Sequence, residues 1–344
     1  MTERATLVRP PPIDPSKAVI ENVLELTSLG DIGPDIFTNT RPLWHPPGAR
    51  GIFGGAVIAQ CLSAAQNTVP ENFTVHSMHC YFVLAGDSEI PILYHVERVR
   101  EGKSFATRTV QARQRGKCVF TTTLSFVREG SGGKRLLQHA VPMPEVQGPF
   151  DDVGDMSMGD RADRPFESQR IDILNDDSPR AYEKKTRQWV KANGNISPKG
   201  GHQAHLSALA YMSDSYFVGT ISRVHKIWRI PTFKEVRDRG EKEEDVFKKI
   251  READGMRGDS PQDRPQIGMM VSLDHTIYFH DPRAFRADEW MFTEMETPWT
   301  DDGRGLVLQR IFTRDGRLIA SCVQEGLVRL KQDEDYSSSH KSKL

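Results

Sequence analysis

Apolar and polar residues alternate over four consecutive segments, Thr74–Leu84, Ile90–Arg100, Ser104–Arg113 and Lys117–Val127, and this period of two predicts an antiparallel set of strands. Just before them, behind Gly54-Gly55, Ala56–Ala65 is apolar nearly all round and rich in alanine, the pattern of a helix buried on most sides. The same order returns later in the chain. Gln203–Phe217 carries Leu206, Ala210, Asp214 and Phe217 on one helical face, and Met269–His280, Glu289–Glu296, Gly305–Thr313 and Arg317–Leu330 read as strands. Ala18–Leu29 predicts a short helix and Thr186–Ala192 one further strand. A buried helix followed by antiparallel strands describes an α+β unit in which the sheet wraps the helix.

The two units are copies of one another. Gly102–Arg128 lays over Gly303–Val328 with one gap at the turn, so that Gly102 meets Gly303, Gly116 meets Gly316 and Val119-Phe120 meets Ile319-Ala320. Ahead of the copies stand His79-Cys80-Tyr81-Phe82 and His275-Thr276-Ile277-Tyr278-Phe279. A period of about 200 residues is too long for a solenoid and indicates one domain fold used twice. The chain then divides into a disordered arm at 1–18, an N-terminal unit at 19–130, a polar linker with little regular structure at 131–185, and a C-terminal unit at 186–331. Residues 229–265 are highly charged and read as a surface insertion in the second unit, with Glu241–Ala253 as a solvated helix; residues 332–344 form a polar tail.

Against this repeat a few polar residues stand out. Arg314-Asp315-Gly316 marks a hairpin turn, and Gln324 on the strand beyond it shares a face with Leu318, Ala320 and Cys322; its counterpart in the first copy is Leu124. A primary amide there must find hydrogen-bond partners or cost roughly 1–3 kcal/mol. It is either a site residue or a core amide tied to a backbone carbonyl. Asp214 lies on the apolar side of its helix, so its carboxylate must be hydrogen-bonded or shifted toward neutrality. Gly54-Gly55 leaves backbone N–H groups open to an anion or a carbonyl oxygen, or simply permits close packing. Asp274-His275 looks like an acid–base pair, but neighbours on a strand point to opposite faces and do not act together in one site.

Composition narrows the chemistry. With a net charge of -1 there is no strong field for nucleic acid or an anionic membrane, and no apolar run is long enough for a membrane span. The cysteines Cys61, Cys80, Cys118 and Cys322 are scattered without CxxC spacing, which argues against a zinc site or disulfide framework and for a reducing compartment. Met1–Lys17 lacks the apolar core of a secretory signal. No GxSxG elbow, P-loop or dinucleotide fingerprint occurs, and His76/His79 and His202/His205 have no acidic ligands beside them, so no metal is expected. The tail ends in Ser342-Lys343-Leu344, a receptor-read peroxisomal address.

Several of these features, taken in order, carry a resemblance. Gly54-Gly55 with its alanine-rich helix, His76-Ser77-Met78-His79-Cys80-Tyr81-Phe82, Gly86-Asp87-Ser88, Gly102-Lys103-Ser104-Phe105, Ser272-Leu273-Asp274-His275 and Val323-Gln324-Glu325-Gly326 resemble the acyl-CoA thioesterase II family. The resemblance runs over most of the chain and implies an α+β double hot-dog, two tandem units each with a long helix cradled by an antiparallel sheet. It implies hydrolysis of fatty acyl-CoA to free fatty acid and CoA without metal or organic cofactor. The family's catalytic residues carry over onto Asp214, Ser272 and Gln324; Ser272 gives no signal of its own. Oxyanion donors are expected at a helix start, here at His202–His205. A peroxisomal matrix location, an import receptor reading the terminal tripeptide, and a homodimer complete the expectation. Two other readings compete. A hot-dog enoyl-CoA hydratase needs an Asp and a His a few residues apart, which Asp274-His275 does not provide, and a non-catalytic acyl-CoA-binding protein has no need of all three polar positions.

Overall fold

The computed structural model describes residues 10–46, 49–149, 164–227 and 265–332. Its first half runs α1 (Val19–Leu24), β1 (Leu26–Ser28), β2 (Ile36–Asn39), α2 (Gly54–Gln66), β3 (Phe73–Phe82), β4 (Leu93–Glu101), β5 (Phe105–Gln114) and β6 (Lys117–Arg128). The second half runs β7 (Phe166–Leu174), β8 (Lys185–Ala192), α3 (Gly201–Ser213), α4 (Gly219–Val224), β9 (Ile267–Ser272), β10 (Asp274–Phe279), β11 (Met291–Asp301), β12 (Arg304–Thr313) and β13 (Leu318–Leu330). The strands form one sheet in the order β1-β2-β4-β5-β6-β3-β10-β13-β12-β11-β8-β7, with β9 on the far end of β13. Every pairing is antiparallel, and the whole is the double hot-dog that the family resemblance implies, in agreement with the repeat.

The halves join at β3 and β10. His79 pairs with Thr276, Met78 with Ile277 and Cys80 with His275, a ladder symmetric about its His79–Thr276 pair. These two residues lie 197 apart in the chain and are hydrogen-bonded through their side chains at 3.2 Å. The joint removes what would otherwise be an open edge on each half-sheet. Behind the sheet α2 and α3 lie against one another, with the Ser63 and Ser207 hydroxyls 3.0 Å apart across the contact. Small residues make this approach possible. A Cβ on Gly55 would come within 2.3 Å of the Tyr211 carbonyl oxygen.

Five expectations need correction. The arm expected to be disordered over 1–18 is held in place from Pro11 onward: Arg41 donates to the Pro11 and Pro12 carbonyls at 3.3 and 3.0 Å, and Asp14 N–H donates to Asn22 Oδ1 at 3.0 Å. The helix predicted over Ala18–Leu29 stops at Leu24, because Glu25 turns extended and is held by Lys17 and Arg41; β1 follows. The linker at 131–185 holds β7, whose polar residues disguise an edge strand that needs only β8 as a partner. Gln203–Phe217 starts earlier and ends at Ser213, with Tyr216 in the left-handed region (φ 57) closing the turn. Met269–His280 is broken at Leu273 into β9 and β10. Positions 229–264 of the insertion expected at 229–265, positions 1–9 of the arm expected at 1–18 and the end of the tail with Ser342-Lys343-Leu344 lie outside the described residues.

Candidate active site

The end of α3 meets the start of α2, and there the polar residues gather. Asp214 caps the C-terminus of α3. Its carboxylate accepts a hydrogen bond from the Gly55 backbone N–H at the head of α2. A Cβ on Gly54 would stand 2.7 Å from Asp214 Oδ2. The glycine pair thus serves both purposes open at the sequence level: it permits close packing, and its free first-turn N–H meets an anion, favoured there by the helix dipole. The anion is a side chain of the protein's other half.

Across from the helices, β13 presents Gln324 and β10 presents His275, both fully buried. Thr276 pairs with Val323, so His275 stands opposite Gln324 on the inner face. Gln324 Nε2 donates to Asp214 Oδ1 at 2.8 Å and to His275 Nδ1 at 3.0 Å. The proton positions follow from the far end of the chain of bonds. The Ala210 carbonyl is an acceptor only, so the Ser213 hydroxyl donates to it at 2.9 Å. His275 Nε2–H then donates to Ser213 Oγ at 3.0 Å, leaving Nδ1 as the acceptor for the amide. Both N–H groups of Gln324 are therefore directed, and its Oε1 must point away from them. That oxygen is buried with no hydrogen-bond partner among the described residues.

Burial sets the charges. It pushes the Asp214 carboxyl up to about 6, against the pull of the bonds from Gln324 and Gly55. It pushes the His275 imidazole down to about 3, so the ring is neutral wherever Asp214 titrates. A carboxylate that ionises near neutrality beside an amide with a free acceptor oxygen is suited to hold a water and take its proton.

Ser272 lies at the end of β9, opposite Gly326 and hence on the Gln324 face. No hydrogen bond joins its hydroxyl to Asp214, Gln324 or His275 among the described residues. The donors expected at His202–His205 are at the wrong end of α3, whose 13 residues span about 20 Å. His205 Nδ1 instead accepts the Ala287 N–H at 3.0 Å. The helix start that faces Asp214 belongs to α2. The sequence sets Asp274 and His275 on opposite strand faces without choosing between them; the register that puts His275 opposite Gln324 is what selects it.

The pseudo-symmetric end of the helix pair shows what is special here. Asn67 caps α2 as Asp214 caps α3, and Leu124 pairs with Met78 where Gln324 faces His275. A cavity of about 350 Å³ lies at that end, lined by α1, Gln66, Asn67, Gly200 and Gln203. It has neither the buried acid nor the imidazole. Among the described residues no cluster of His, Cys, Asp or Glu could hold a metal ion, and no helix is long and apolar enough to cross a membrane.

Known proteins share this architecture. Residues 41–127 match the family model described as the acyl-CoA thioesterase N-terminal domain, and residues 140–328 that of the acyl-CoA thioesterase C-terminal domain. The chain is 34% identical over 338 residues to acyl-coenzyme A thioesterase 8 of Mus musculus, covering 92% of this chain and 91% of that protein. It is 25% identical to peroxisomal acyl-coenzyme A thioester hydrolase 1 of Saccharomyces cerevisiae, covering 93% of this chain and 98% of that one. Among solved structures it is similar to an acyl-CoA thioesterase II from Mycobacterium marinum, with TM-score 0.64 and 27% identity over 91% of this chain and 98% of the other.

Proposed function

This chain belongs to the acyl-CoA thioesterase II family, and from that premise we propose that it hydrolyses fatty acyl-CoA to free fatty acid and CoA with a water activated by Asp214. The observation that carries the reading is the buried Asp214–Gln324 pair with its unpartnered amide oxygen. Gln324 Oε1 accepts one hydrogen of the water, and Asp214 removes the other as the water oxygen attacks the thioester carbonyl carbon. Ser272, on the same face, adds a hydroxyl to orient the water or the substrate. Gly55 N–H is taken by Asp214, which leaves the Gly54 N–H at the head of α2 to meet the developing oxyanion. The tetrahedral intermediate collapses with cleavage of the C–S bond. The thiolate leaves readily because a thiol ionises near pH 8.5, and the proton held by Asp214 returns to it or to solvent.

We infer further that the protein acts in the peroxisomal matrix, a reading supported by the name of the yeast relative and by Ser342-Lys343-Leu344 as the stretch an import receptor would read. A homodimer suits the outer face of the sheet, where Tyr81 and Tyr278, related by the pseudo-twofold, stand 62% and 43% exposed. Light scattering at micromolar concentration tests the dimer.

The direct test is release of CoA from palmitoyl-CoA, followed by thiol detection. Asp214→Ala is expected to lower kcat by about 10²–10⁴-fold, the span of a general base. Gln324→Ala is expected to lower it by about 10²-fold with KM little changed, as loss of water positioning demands. Unchanged turnover in both variants would remove these residues from the mechanism.

A further inference from the structure

The break at Leu273 is a β-bulge, and its register is what puts Ser272 and His275 on one face. Gly326 pairs with Ser272, which sets Glu325 opposite Leu273; Val323 pairs with Thr276, which sets the same Glu325 opposite Asp274. Two residues of one strand thus face one residue of the other. In a regular strand, residues three apart point to opposite faces. The extra residue restores the parity, so Ser272 and His275 both point at the face that carries Gln324.

A bulge leaves ladder groups unpaired, and here each finds a partner. Leu273 N–H donates to the Glu325 carbonyl at 2.9 Å, but the Leu273 carbonyl turns to β3 and accepts from Phe82 N–H at 3.0 Å. The Glu325 N–H, which a regular ladder would give to that carbonyl, is taken by Asp274 Oδ1 at 2.7 Å. Glu325 is the chain neighbour of Gln324. We propose that Asp274 is a positioning residue for hydrolysis: its side chain staples the bulge to β13 and so holds Ser272, His275 and Gln324 on one face. The proposal rests on the thioesterase reading above, but the staple itself can be measured without it.

Three variants in the full chain test it. Asp274→Ala loses the acceptor. Asp274→Glu keeps the charge but, with one more methylene, misses the 2.7 Å geometry. Asp274→Asn keeps an acceptor oxygen of the same reach. With palmitoyl-CoA, kcat is expected to fall about 10- to 100-fold in Asp274→Ala and Asp274→Glu with KM within about twofold, and to recover to within about threefold of wild type in Asp274→Asn. Loosening Gln324 also weakens its bond to Asp214, so the pH midpoint of kcat is expected to move upward in the first two variants and stay in place in the third. A stabilising residue with no positioning role would change Tm alone. Amide hydrogen exchange of Glu325, expected to accelerate in Asp274→Ala and Asp274→Glu, reads the staple independently of activity. Wild-type kcat and midpoint in soluble Asp274→Glu, or Glu325 exchange as slow as wild type in it, would overturn the proposal. Accelerated Glu325 exchange in Asp274→Ala and Asp274→Glu, together with a wild-type protein that does not cleave acyl-CoA, would instead overturn the thioesterase reading and leave the staple standing.

Discussion

Gln324 has one orientation because both atoms that its amide nitrogen meets are acceptors. His275 supplies one of them, and its neutrality is what makes it one. His275→Leu leaves an amide N–H and the Ser213 hydroxyl short of partners, at a cost of about 1–3 kcal/mol, and frees the amide to turn. We expect kcat to fall about tenfold, with lower resistance to urea. The pH dependence of that loss has a definite sign. The folded-state value of His275 is about 3 against an ordinary 6.5, so folding releases a proton between those values and the stability associated with the ring rises with pH through the window. Asp214 is raised from 3.8 to about 6, so its contribution falls as pH rises over that range. The two oppose one another in the native protein. Removing His275 leaves the Asp214 trend alone, so the variant's stability deficit is expected to grow from pH 4 to pH 6.5. Urea titrations at both ends check it, and an equal deficit at both would count against a neutral buried imidazole. Asp214 and Gln324 could be picked out from sequence because each is a polar residue on an apolar face. Ser272 could not, since a half-exposed serine on a strand breaks no pattern.

The head of α2 does its work through what it lacks. A methyl on Gly55 would meet the Tyr211 carbonyl oxygen, which belongs to the backbone of α3 and cannot rotate away. Gly55→Ala is therefore expected to force the helices apart and to destabilise by about 3 kcal/mol or more. A methyl on Gly54 meets Asp214 Oδ2 and the Phe82 ring, both ends of side chains that can shift. Gly54→Ala should then cost less in Tm but more in kcat, because the shifted group is the proposed base. Calorimetry and thiol release on the two variants separate these outcomes, and equal Tm losses would contradict the geometry. The element-level pattern in the sequence placed α2, α3 and most strands to within a few residues. It missed the bulge, since Met269–His280 alternates well enough to pass as one strand whichever residue is doubled. It also missed the end of α3 at Ser213, because Asp214 and Phe217 continue the helical spacing after the backbone has turned.

At the level of the whole molecule the proposed site belongs to neither repeat. Gly54 and Gly55 come from the first and Asp214, Ser272, His275 and Gln324 from the second, joined by the β3–β10 seam and the α2–α3 contact. Residues 164–344 expressed alone are expected to give no turnover, and to aggregate through the bare edge of β10. Co-expression with residues 1–163 should restore activity, as a cell extract assay would show. The repeat told from the sequence that two like units were present. The contrast between Gln324 and Leu124 already marked the end of the helix pair proposed as the site; the matching contrast between Asp214 and Asn67 needed the helix ends to be seen. The central claim is that a buried Asp214 carboxylate is the base. The dependence of kcat/KM for palmitoyl-CoA on pH tests it most directly, because that quantity reports ionisations of the free enzyme. A single rise centred near pH 6 followed by a plateau, absent in Asp214→Asn, is the expected result. A rate that stays level from pH 5 to 7, or a midpoint that survives in Asp214→Asn, would contradict it.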